Sequence, residues 1–246
     1  MGVRALAPGA DTVTVCALPI HDGGSAPLYL LPIDVHRFSP ARFEAEGVAC
    51  PPEIGRSVAK RQAEFFHGRL AARHALADFG LAGAQVGIGQ SRQPVWPQGI
   101  IGSISHNGRY AAAVALPARA HGAIGIDLEA VIAPESRATL LDTVVAANEL
   151  DLLLQLDTGL SPELLLTIVF SAKESFFKAA FPQVGRFFGF DAVALDAFDP
   201  VRRSFSLRVQ ESLSAYLAPG TIHCGRFDMI DADTVCTSCH WPALRD

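Results

Sequence analysis

The sequence lacks any apolar run close to the roughly 18 residues that a membrane-spanning helix requires. Its N-terminal residues also lack the apolar core of a signal peptide. The five cysteines are an odd number, which fits thiols in a reducing compartment better than a disulfide framework. These absences predict a cytoplasmic protein with no membrane span.

Basic residues are also scarce. The chain has 20 Lys and Arg residues against 25 Asp and Glu, and its formal net charge is −5. A general nucleic-acid-binding surface needs an excess of positive charge, so we expect no nucleic-acid partner. Any anionic ligand must then be bound in a local basic cleft. Only three basic residues are lysines, and two of them, Lys173 and Lys178, lie five positions apart.

The order of the predicted elements favours the α+β class. Half of the residues are hydrophobic, which is enough for a large core. The pattern predicts a strand over residues 29–35, a long helix over 51–80, helices over 134–156 and 162–180, and mostly strands thereafter. No regular alternation of strand and helix runs through the chain, which disfavours a doubly wound sheet. We expect two packed halves, residues 1–120 and 121–246.

Turn and cap signals refine these boundaries. Asn107-Gly108, between two strand-like runs, predicts a hairpin with a type I′ turn, which requires positive φ at both central residues. Ser161 is a typical N-cap, and Pro182 is expected to end the helix that follows it. His106 ends the strand before the hairpin turn. A Ser-His-Asp hydrolase is disfavoured, because no G-x-S-x-G motif occurs and because Ser105 and His106 face opposite sides of a strand.

Two acids occur in the apolar segment GAIGIDLEAV. Asp127 and Glu129 are two positions apart, so the pleat of a strand places both carboxylates on one side. Converging carboxylates suit a hard cation such as Mg²⁺. The alternative is a strand end whose two acids are solvated, and the pattern alone favours that alternative.

Charged residues also recur on the predicted helices. Glu174 and Lys178 are four positions apart, in the orientation that stabilises an exposed helix by about 0.3–0.5 kcal/mol. Four nearby phenylalanines leave this helix little solvent-exposed face, which favours a role beyond a surface pair. Arg61 and Arg69 lie on the first long helix, and arginine forks match phosphate geometry. An ordinary solvated helix face is the alternative there.

A cysteine motif occurs near the end of the sequence. Cys236, Cys239 and His240 spell C-x-x-C-H, the pattern of c-type haem attachment. That attachment requires export, which the sequence does not predict. A zinc site with His223 and Cys224 lacks a second C-x-x-C. We therefore expect buried or edge-strand thiols without a function.

Five segments in order resemble the 4′-phosphopantetheinyl transferases: KRQAEFFHGRLAARHAL, RQPVWPQGIIGSISHNGRYAAAVAL, GIDLE, FSAKESFFKAAFP and FFGFDAV. They cover most of residues 60–193. GIDLE alone would be unspecific, whereas the ordered combination is specific. Within the surfactin-type group the likeness is greatest to the branch of enterobactin synthetase component D, since Phe170 stands where other surfactin-type relatives tend to have Trp.

The resemblance implies a pseudo-twofold α+β fold with the active site in the cleft between the halves. It also implies a reaction, in which the 4′-phosphopantetheine arm of coenzyme A is transferred to a serine of an apo carrier protein and 3′,5′-ADP is released. Coenzyme A would be the co-substrate and Mg²⁺, or Mn²⁺, the metal. The N-terminal half would supply the coenzyme A-binding helix and hairpin, and the C-terminal half the metal-binding acids and the catalytic helix.

The resemblance also implies roles for individual residues of the C-terminal half. Asp127, Glu129 and Glu174 would hold the metal against the pyrophosphate. Glu174 would also accept the proton of the carrier serine, directly or through water. Lys173 and Lys178 would contact phosphates, and Lys178 would take part in catalysis with Glu174.

The N-terminal half would bind the remainder of coenzyme A. His106 would contact a phosphate, and its neighbours Ser105 and Asn107 would line the same turn. The family's basic positions for the adenosine end, including its 3′-phosphate, match three arginines of this sequence: Arg61, Arg69 and Arg92.

Two other functions remain open. One is a protein that binds coenzyme A or a carrier without turnover, which the complete set of motif acids disfavours. The other is a Mg²⁺-dependent phosphohydrolase, which would leave the motif of the first long helix unexplained. The expected partners are acidic carrier proteins or domains of siderophore, other non-ribosomal peptide, or polyketide biosynthesis. A two-half enzyme can build its cleft within one chain, so we expect a monomer.

Overall fold

The computed structural model describes residues 3–5, 12–20, 24–155 and 158–243. The strands within these residues are β1 (Val3–Ala5), β2 (Thr14–Pro19), β3 (Ser25–Pro32), β4 (Gly87–Ile88), β5 (Pro94–Val95), β6 (Ile100–His106), β7 (Tyr110–Pro117), β8 (His121–Ala130), β9 (Val193–Asp199), β10 (Ser204–Val209), β11 (Ile222–Asp231) and β12 (Thr234–Pro242). The helices are α1 (Arg42–Ala45), α2 (Pro52–Gly55), α3 (Ala59–Ala77), α4 (Arg137–Val144), α5 (Ala147–Gln155) and α6 (Pro162–Val184). No helix among these is long and apolar enough to cross a membrane.

The elements form two compact units, and the boundary between them lies between His121 and Gly122. The short segment Pro19–Gly24 is the exception, because it belongs to the second unit. The first unit contains a five-stranded sheet in the order β1-β2-β3-β7-β6, and the second contains one in the order β8-β12-β11-β10-β9. In the first, α3 packs against β3, β6 and β7; in the second, α6 packs against β12 and β11. The predicted α+β class is confirmed.

The first long helix is shorter than the sequence predicted. The chain forms the one-turn helix α2 and then a break, and α3 begins only at Ala59, after Val58 in an extended conformation. The buried side chain of Gln62 stabilises the break, because its Nε2 donates to the carbonyl oxygens of Gly55 at 3.1 Å and Ser57 at 2.8 Å. These two carbonyl groups therefore bond to a side-chain amide instead of to the backbone N–H groups of the predicted continuous helix.

The hairpin between β6 and β7 is present, but its turn differs from the prediction. Neither Asn107 nor Gly108 is among the described residues with positive φ, so the type I′ prediction is wrong. Instead, Oδ1 of Asn107 accepts hydrogen bonds from the backbone N–H groups of Arg109 at 2.9 Å and Tyr110 at 2.8 Å. The asparagine closes the turn with its side chain rather than with a left-handed backbone.

The helix α6 begins as predicted and ends later. Oγ of Ser161 accepts from the N–H of Leu164 at 3.2 Å, which confirms the N-cap. Pro182 lies inside the last turn, so its prediction as the end is wrong. The helix ends at Gly185, whose φ of 68° provides the left-handed C-cap that stops helices. The single helix predicted over residues 134–156 is instead a 3₁₀ turn followed by α4 and α5.

Candidate active site

The sequence-predicted site residues lie in two groups, one in each unit. The first group surrounds a cavity of about 310 Å³ in the first unit, beside α3. Residues of α2, α3, β6 and the β4–β5 hairpin line this cavity. Four of the basic side chains predicted to bind coenzyme A line it together: Arg61, Arg69, Arg92 and His106.

Arg69 is a half-buried cation with a spare donor. Its guanidinium carbon lies 4.6 Å from the ring centroid of Phe65, and its Nη2 donates to the carbonyl oxygen of Gly87 at 3.2 Å. Its Nε is buried and has no hydrogen-bond partner. Burial, and secondly the charge of Arg61, lower the pKa of Arg69 to about 10. A desolvated guanidinium of this kind favours an anionic ligand.

Arg92 reaches the same cavity from the turn between β4 and β5. Its φ of 64° is left-handed, which is uncommon for a residue with a side chain. The short sheet of β4 with β5 holds this conformation, together with a hydrogen bond of 2.9 Å from the N–H of Arg92 to the carbonyl oxygen of Gly89.

His106 is bonded to a neighbouring arginine and lies near an acid that the sequence analysis did not single out. Its Nε2 is 3.0 Å from Nη1 of Arg61, and its Nδ1 is 3.8 Å from Oε2 of Glu64. Glu64 lies three positions after Arg61, one turn along α3, so the two side chains share a face of the helix. This spacing could have identified Glu64 from the sequence as an acid among the predicted phosphate-binding arginines.

Ser105 and Asn107, the two neighbours of His106, were expected to line the same turn. Ser105 alternates with His106 along β6, is only 3% exposed, and is not among the residues lining the cavity. The alternation of a strand places its side chain on the face opposite to His106, and its role in binding coenzyme A stays a prediction. Asn107 uses Oδ1 for the turn, whereas its Nδ2 is buried and has no partner.

The second group joins β8 to α6 in the second unit. Gly125 makes this junction possible, because a Cβ there would lie 1.9 Å from the carbonyl oxygen of Ser175. The close approach places Asp127 against the helix. Its Oδ2 accepts from Oγ of Ser171 at 2.8 Å, and its Oδ1 accepts from Nζ of Lys178 at 2.7 Å.

Three carboxyl groups share the field of that ammonium. Burial first, then the charge of Asp127, raises the pKa of Glu129 to about 8, and Lys178 opposes this rise. Burial and Asp127 likewise raise the pKa of Glu174, with Lys178 again opposing. If all three carboxyl groups were ionised, they would carry more negative charge than one ammonium neutralises, and this repulsion adds to burial in raising the two pKa values.

The chemistry of this cluster fits a hard divalent cation, because carboxylate oxygens are the ligands that Mg²⁺ and Mn²⁺ prefer. Nevertheless, among the residues that the structure describes, no three His, Cys, Asp or Glu side chains are gathered closely enough to hold a metal ion as they stand. The donors fit such an ion, but they are not preorganised around one.

Lys173 is buried, and its ammonium is bonded to other groups of the protein. It is 2% exposed, and its Nζ donates to Oε2 of Glu149 at 2.7 Å and to the carbonyl oxygens of Val144 at 2.7 Å and Phe190 at 3.1 Å. An ammonium has three N–H donors, and all three have acceptors here. The geometry therefore corrects the expectation that Lys173 contacts phosphates, and indicates that it anchors α6.

Two partners in the second unit were missed from the sequence. Ser171 lies one turn before Glu174 on α6, so the helical period could have placed it on the face with Glu174 and Lys178. Glu149 gave no local signal, because its contacts with Lys173 and with the N–H of Leu195, at 2.6 Å, join segments distant in sequence.

The C-x-x-C-H motif lies in β12. Cys236 and Cys239 are three positions apart in a strand, so their side chains face opposite sides and do not converge on one ion. Both are buried, and all five cysteines of the chain are thiols. Burial raises the pKa of Cys239 to about 12, which disfavours its reactive thiolate form.

Both groups of site residues lie within regions that match known protein families. The model described as the 4′-phosphopantetheinyl transferase N-terminal domain matches residues 51–116, which contain α3 and the β6–β7 hairpin. The model described as the 4′-phosphopantetheinyl transferase superfamily matches residues 123–225, which contain the acids of β8 and all of α6. Both matches indicate a group-transferring enzyme.

Individual relatives agree. Enterobactin synthase component D from Escherichia coli (strain K12) is 38% identical over 146 residues, which are 58% of this chain and 68% of that protein. The protein of the same name from Salmonella typhi is 35% identical over 163 residues, 66% of this chain and 65% of that protein. The 4′-phosphopantetheinyl transferase Npt from Nocardia iowensis is 34% identical over 166 residues, 66% of this chain and 72% of that protein.

The chain belongs to the 4′-phosphopantetheinyl transferase superfamily of enzymes. The resemblance found in the sequence motifs is thus confirmed, including its branch, since several relatives are named enterobactin synthase component D. The match spans slightly less than two thirds of the Salmonella typhi protein and slightly more than two thirds of the Escherichia coli one.

Proposed function

We propose that this protein transfers the 4′-phosphopantetheine arm of coenzyme A to a serine hydroxyl of an apo carrier protein, with Mg²⁺ as the metal, and releases 3′,5′-ADP. Family membership supports the reaction class. The observation that carries the proposal is the carboxylate cluster of the second unit. There the ammonium of Lys178 donates to Asp127, and its charge opposes the rise in the pKa of Glu174 and in that of Glu129, which reaches about 8. Such a cluster favours a cation of higher charge.

The metal would be held by Asp127, Glu129 and Glu174. Bound there, Mg²⁺ or Mn²⁺ would neutralise pyrophosphate charge and polarise the phosphorus under attack. Lys178 is 27% exposed in its side chain, so its ammonium can exchange Asp127 for a phosphate oxygen of coenzyme A. In this way one side chain would hold the cluster before binding and the substrate after it.

The proton of the acceptor serine needs a base at the reacting phosphorus. The serine oxygen attacks the β-phosphorus of coenzyme A, the new O–P bond forms, and the bond from that phosphorus to the bridging oxygen breaks. The leaving 3′,5′-ADP takes the electron pair, and the carboxylate of Glu174 takes the serine proton. Burial raises the pKa of Glu174, which makes it a stronger proton acceptor near neutral pH.

The cavity of the first unit would bind the nucleotide end of coenzyme A. Arg69 offers an unpartnered Nε, and Arg61 and Arg92 line the same walls. Together they suit the 3′-phosphate, because guanidinium groups form charge-assisted bonds with phosphate. His106 would contact a second phosphate, with Nδ2 of Asn107 as a further donor.

The relatives named enterobactin synthase component D favour a carrier of siderophore assembly, or of other non-ribosomal peptide or polyketide synthesis, as the acceptor. We also propose that the enzyme works in the cytoplasm, which agrees with its five thiols, and as a monomer, because one chain holds both groups of residues.

Intact-mass spectrometry tests the proposal. An apo carrier is incubated with this protein, coenzyme A and Mg²⁺, and a parallel sample contains EDTA. We expect the carrier to gain the mass of one phosphopantetheine, and the gain to be absent with EDTA. If peptide, polyketide and fatty-acid carriers all remain unmodified while the protein binds coenzyme A, it is a binder and the proposed transfer is wrong.

A further inference from the structure

We infer that Glu64 is a positioning residue for coenzyme A, which acts by orienting His106 and by stabilising the imidazolium that forms when His106 binds a phosphate. The inference rests on the proposed function. It gives a role to an acid that would otherwise oppose an anionic ligand.

Glu64 lies among basic groups. Its side chain is 12% exposed and lines the cavity of the first unit. Its Oε2 is 3.8 Å from Nη1 of Arg61 and 3.8 Å from Nδ1 of His106, and its Oε1 is 4.0 Å from Nζ of Lys60. A carboxylate in a phosphate-binding cavity repels the ligand, so its presence at this position calls for a compensating role.

The contact between Arg61 and His106 defines the state of the imidazole. Guanidinium groups only donate hydrogen bonds, so Nη1 of Arg61 donates across the 3.0 Å to Nε2 of His106. Nε2 is therefore the acceptor nitrogen of a neutral ring, and the ring proton is on Nδ1. Nδ1 lies 3.8 Å from Oε2 of Glu64, beyond hydrogen-bond length but within ion-pair range, so the carboxylate acts on the ring through its charge.

A phosphate oxygen can bind to Nε2 only if this nitrogen becomes a donor. It can do so by a change of tautomer, which would leave Nδ1 without a proton beside the carboxylate of Glu64, or by uptake of a proton, which makes His106 an imidazolium with two N–H groups. The negative charge of Glu64 favours the imidazolium. The charged residues that line the same cavity come from every wall: Glu53 on α2, Arg61, Glu64 and Arg69 on α3, and Arg92 between β4 and β5. The arginines disfavour a further cation, and Glu64 is the acid in ion-pair range of the ring.

The first experiment measures coenzyme A binding and turnover in Glu64→Gln, which retains the size of the side chain. We expect KM for coenzyme A to rise about tenfold, a change typical of one charge-assisted contact, with kcat nearly unchanged. The rise should be larger at pH 8 than at pH 6, because protons are scarcer, and Glu64→Asp should restore most of the affinity. Glu44→Gln, an exposed charge-matched control on α1, should behave as wild type.

A double-mutant cycle tests whether Glu64 acts through His106. In a His106→Asn background, Glu64→Gln should produce no further rise in KM. Long-range ¹H–¹⁵N correlation spectra should show both nitrogens of His106 protonated in the wild-type complex with coenzyme A at pH 7.5, and only one in the complex of Glu64→Gln.

Three results would overturn the inference: a lower KM in Glu64→Gln, an equal rise in both backgrounds, or an unchanged protonation state of His106. Because calorimetry of coenzyme A binding needs no carrier, these results remain measurable even if transfer fails. A wild-type protein that transfers normally while Glu64→Gln is indistinguishable from it contradicts this inference alone.

Discussion

Nζ of Lys178 lies 2.7 Å from Oδ1 of Asp127 and joins the helix α6 to the strand β8. The lysine is one turn from Glu174 on the same helix, but it forms its ion pair with Asp127 on β8. A pair of Glu174 with Lys178 on the exposed face of α6 would only have stabilised the helix locally. The observed pair is instead the centre of a carboxylate cluster, which makes its residues candidates for chemistry.

Loss of one carboxylate from this cluster should abolish transfer without unfolding the protein. We expect Asp127→Asn and Glu174→Gln each to lower turnover by at least about 100-fold, since each removes a metal ligand and the second also removes the base. Circular dichroism should be unchanged. Glu211→Gln, which neutralises an exposed carboxylate of the same unit, is the matched control. Wild-type turnover in either site variant would refute the assignment.

The two lysines of α6 should give opposite phenotypes. Lys173→Met leaves the buried carboxylate of Glu149 without its ammonium, which should cost about 3–5 kcal/mol of unfolding free energy. Lys178→Met breaks a partly exposed pair and should cost about 1 kcal/mol or less, yet strongly reduce transfer. Urea unfolding and carrier modification separate the two. A stable Lys173→Met protein with a raised KM for coenzyme A would restore the phosphate role for Lys173.

Glu129 should make the second unit less stable as the pH rises. Its pKa is about 8 in the folded protein against an ordinary 4.5, so the folded state retains a proton that the unfolded chain releases. This contribution to stability is complete below about pH 4.5 and is lost as the pH rises through about 8. In metal-free buffer, Glu129→Gln should flatten that part of the Tm–pH curve, whereas Glu211→Gln should leave it in place. Parallel curves for Glu129→Gln and wild type would disprove the cause.

Gly125 and Gly68 provide a matched pair of substitutions. A Cβ at Gly125 would lie 1.9 Å from the carbonyl oxygen of Ser175 and 2.6 Å from the N of Ala179, both backbone atoms of α6. We expect Gly125→Ala to cost at least about 1–3 kcal/mol and to reduce transfer by displacing Asp127. At Gly68 the nearest atom is a side-chain methyl of Ile104 at 3.0 Å.

For Gly68→Ala we expect a near-neutral change in Tm, because the helix propensity of Ala, worth about 1 kcal/mol over Gly, offsets the tighter contact. Thermal unfolding compares both variants with wild type. Equal Tm values for Gly125→Ala and wild type would show that β8 and α6 can move apart without cost, which contradicts their close packing at Gly125.

The sequence predicted those caps and turns whose hydrogen bonds join residues only a few positions apart. Ser161 caps α6 as expected, because an N-cap hydrogen bond joins residues three positions apart. The hairpin at Asn107 was also predicted, but its turn type was not, since the side chain of Asn107 competes with the left-handed backbone that the dipeptide favours. The α2–α3 break was missed for a similar reason, because the side chain of Gln62 donates to the carbonyl oxygens of Gly55, at the end of α2, and of Ser57, within the break.

The order and spacing of five motifs were enough to predict the family, and they indicated the acids of one strand and a lysine-containing helix as candidate residues. Which of these charges meet depends on the packing of segments that are distant in sequence. Lys173 and Lys178 share a helix and a motif, yet one is buried against Glu149 and the other bonds to Asp127. Helical period gives the face of a side chain but not the segment packed against that face. The partners come from long-range packing, and so do the close approach at Gly125 and the position of Glu64 beside His106.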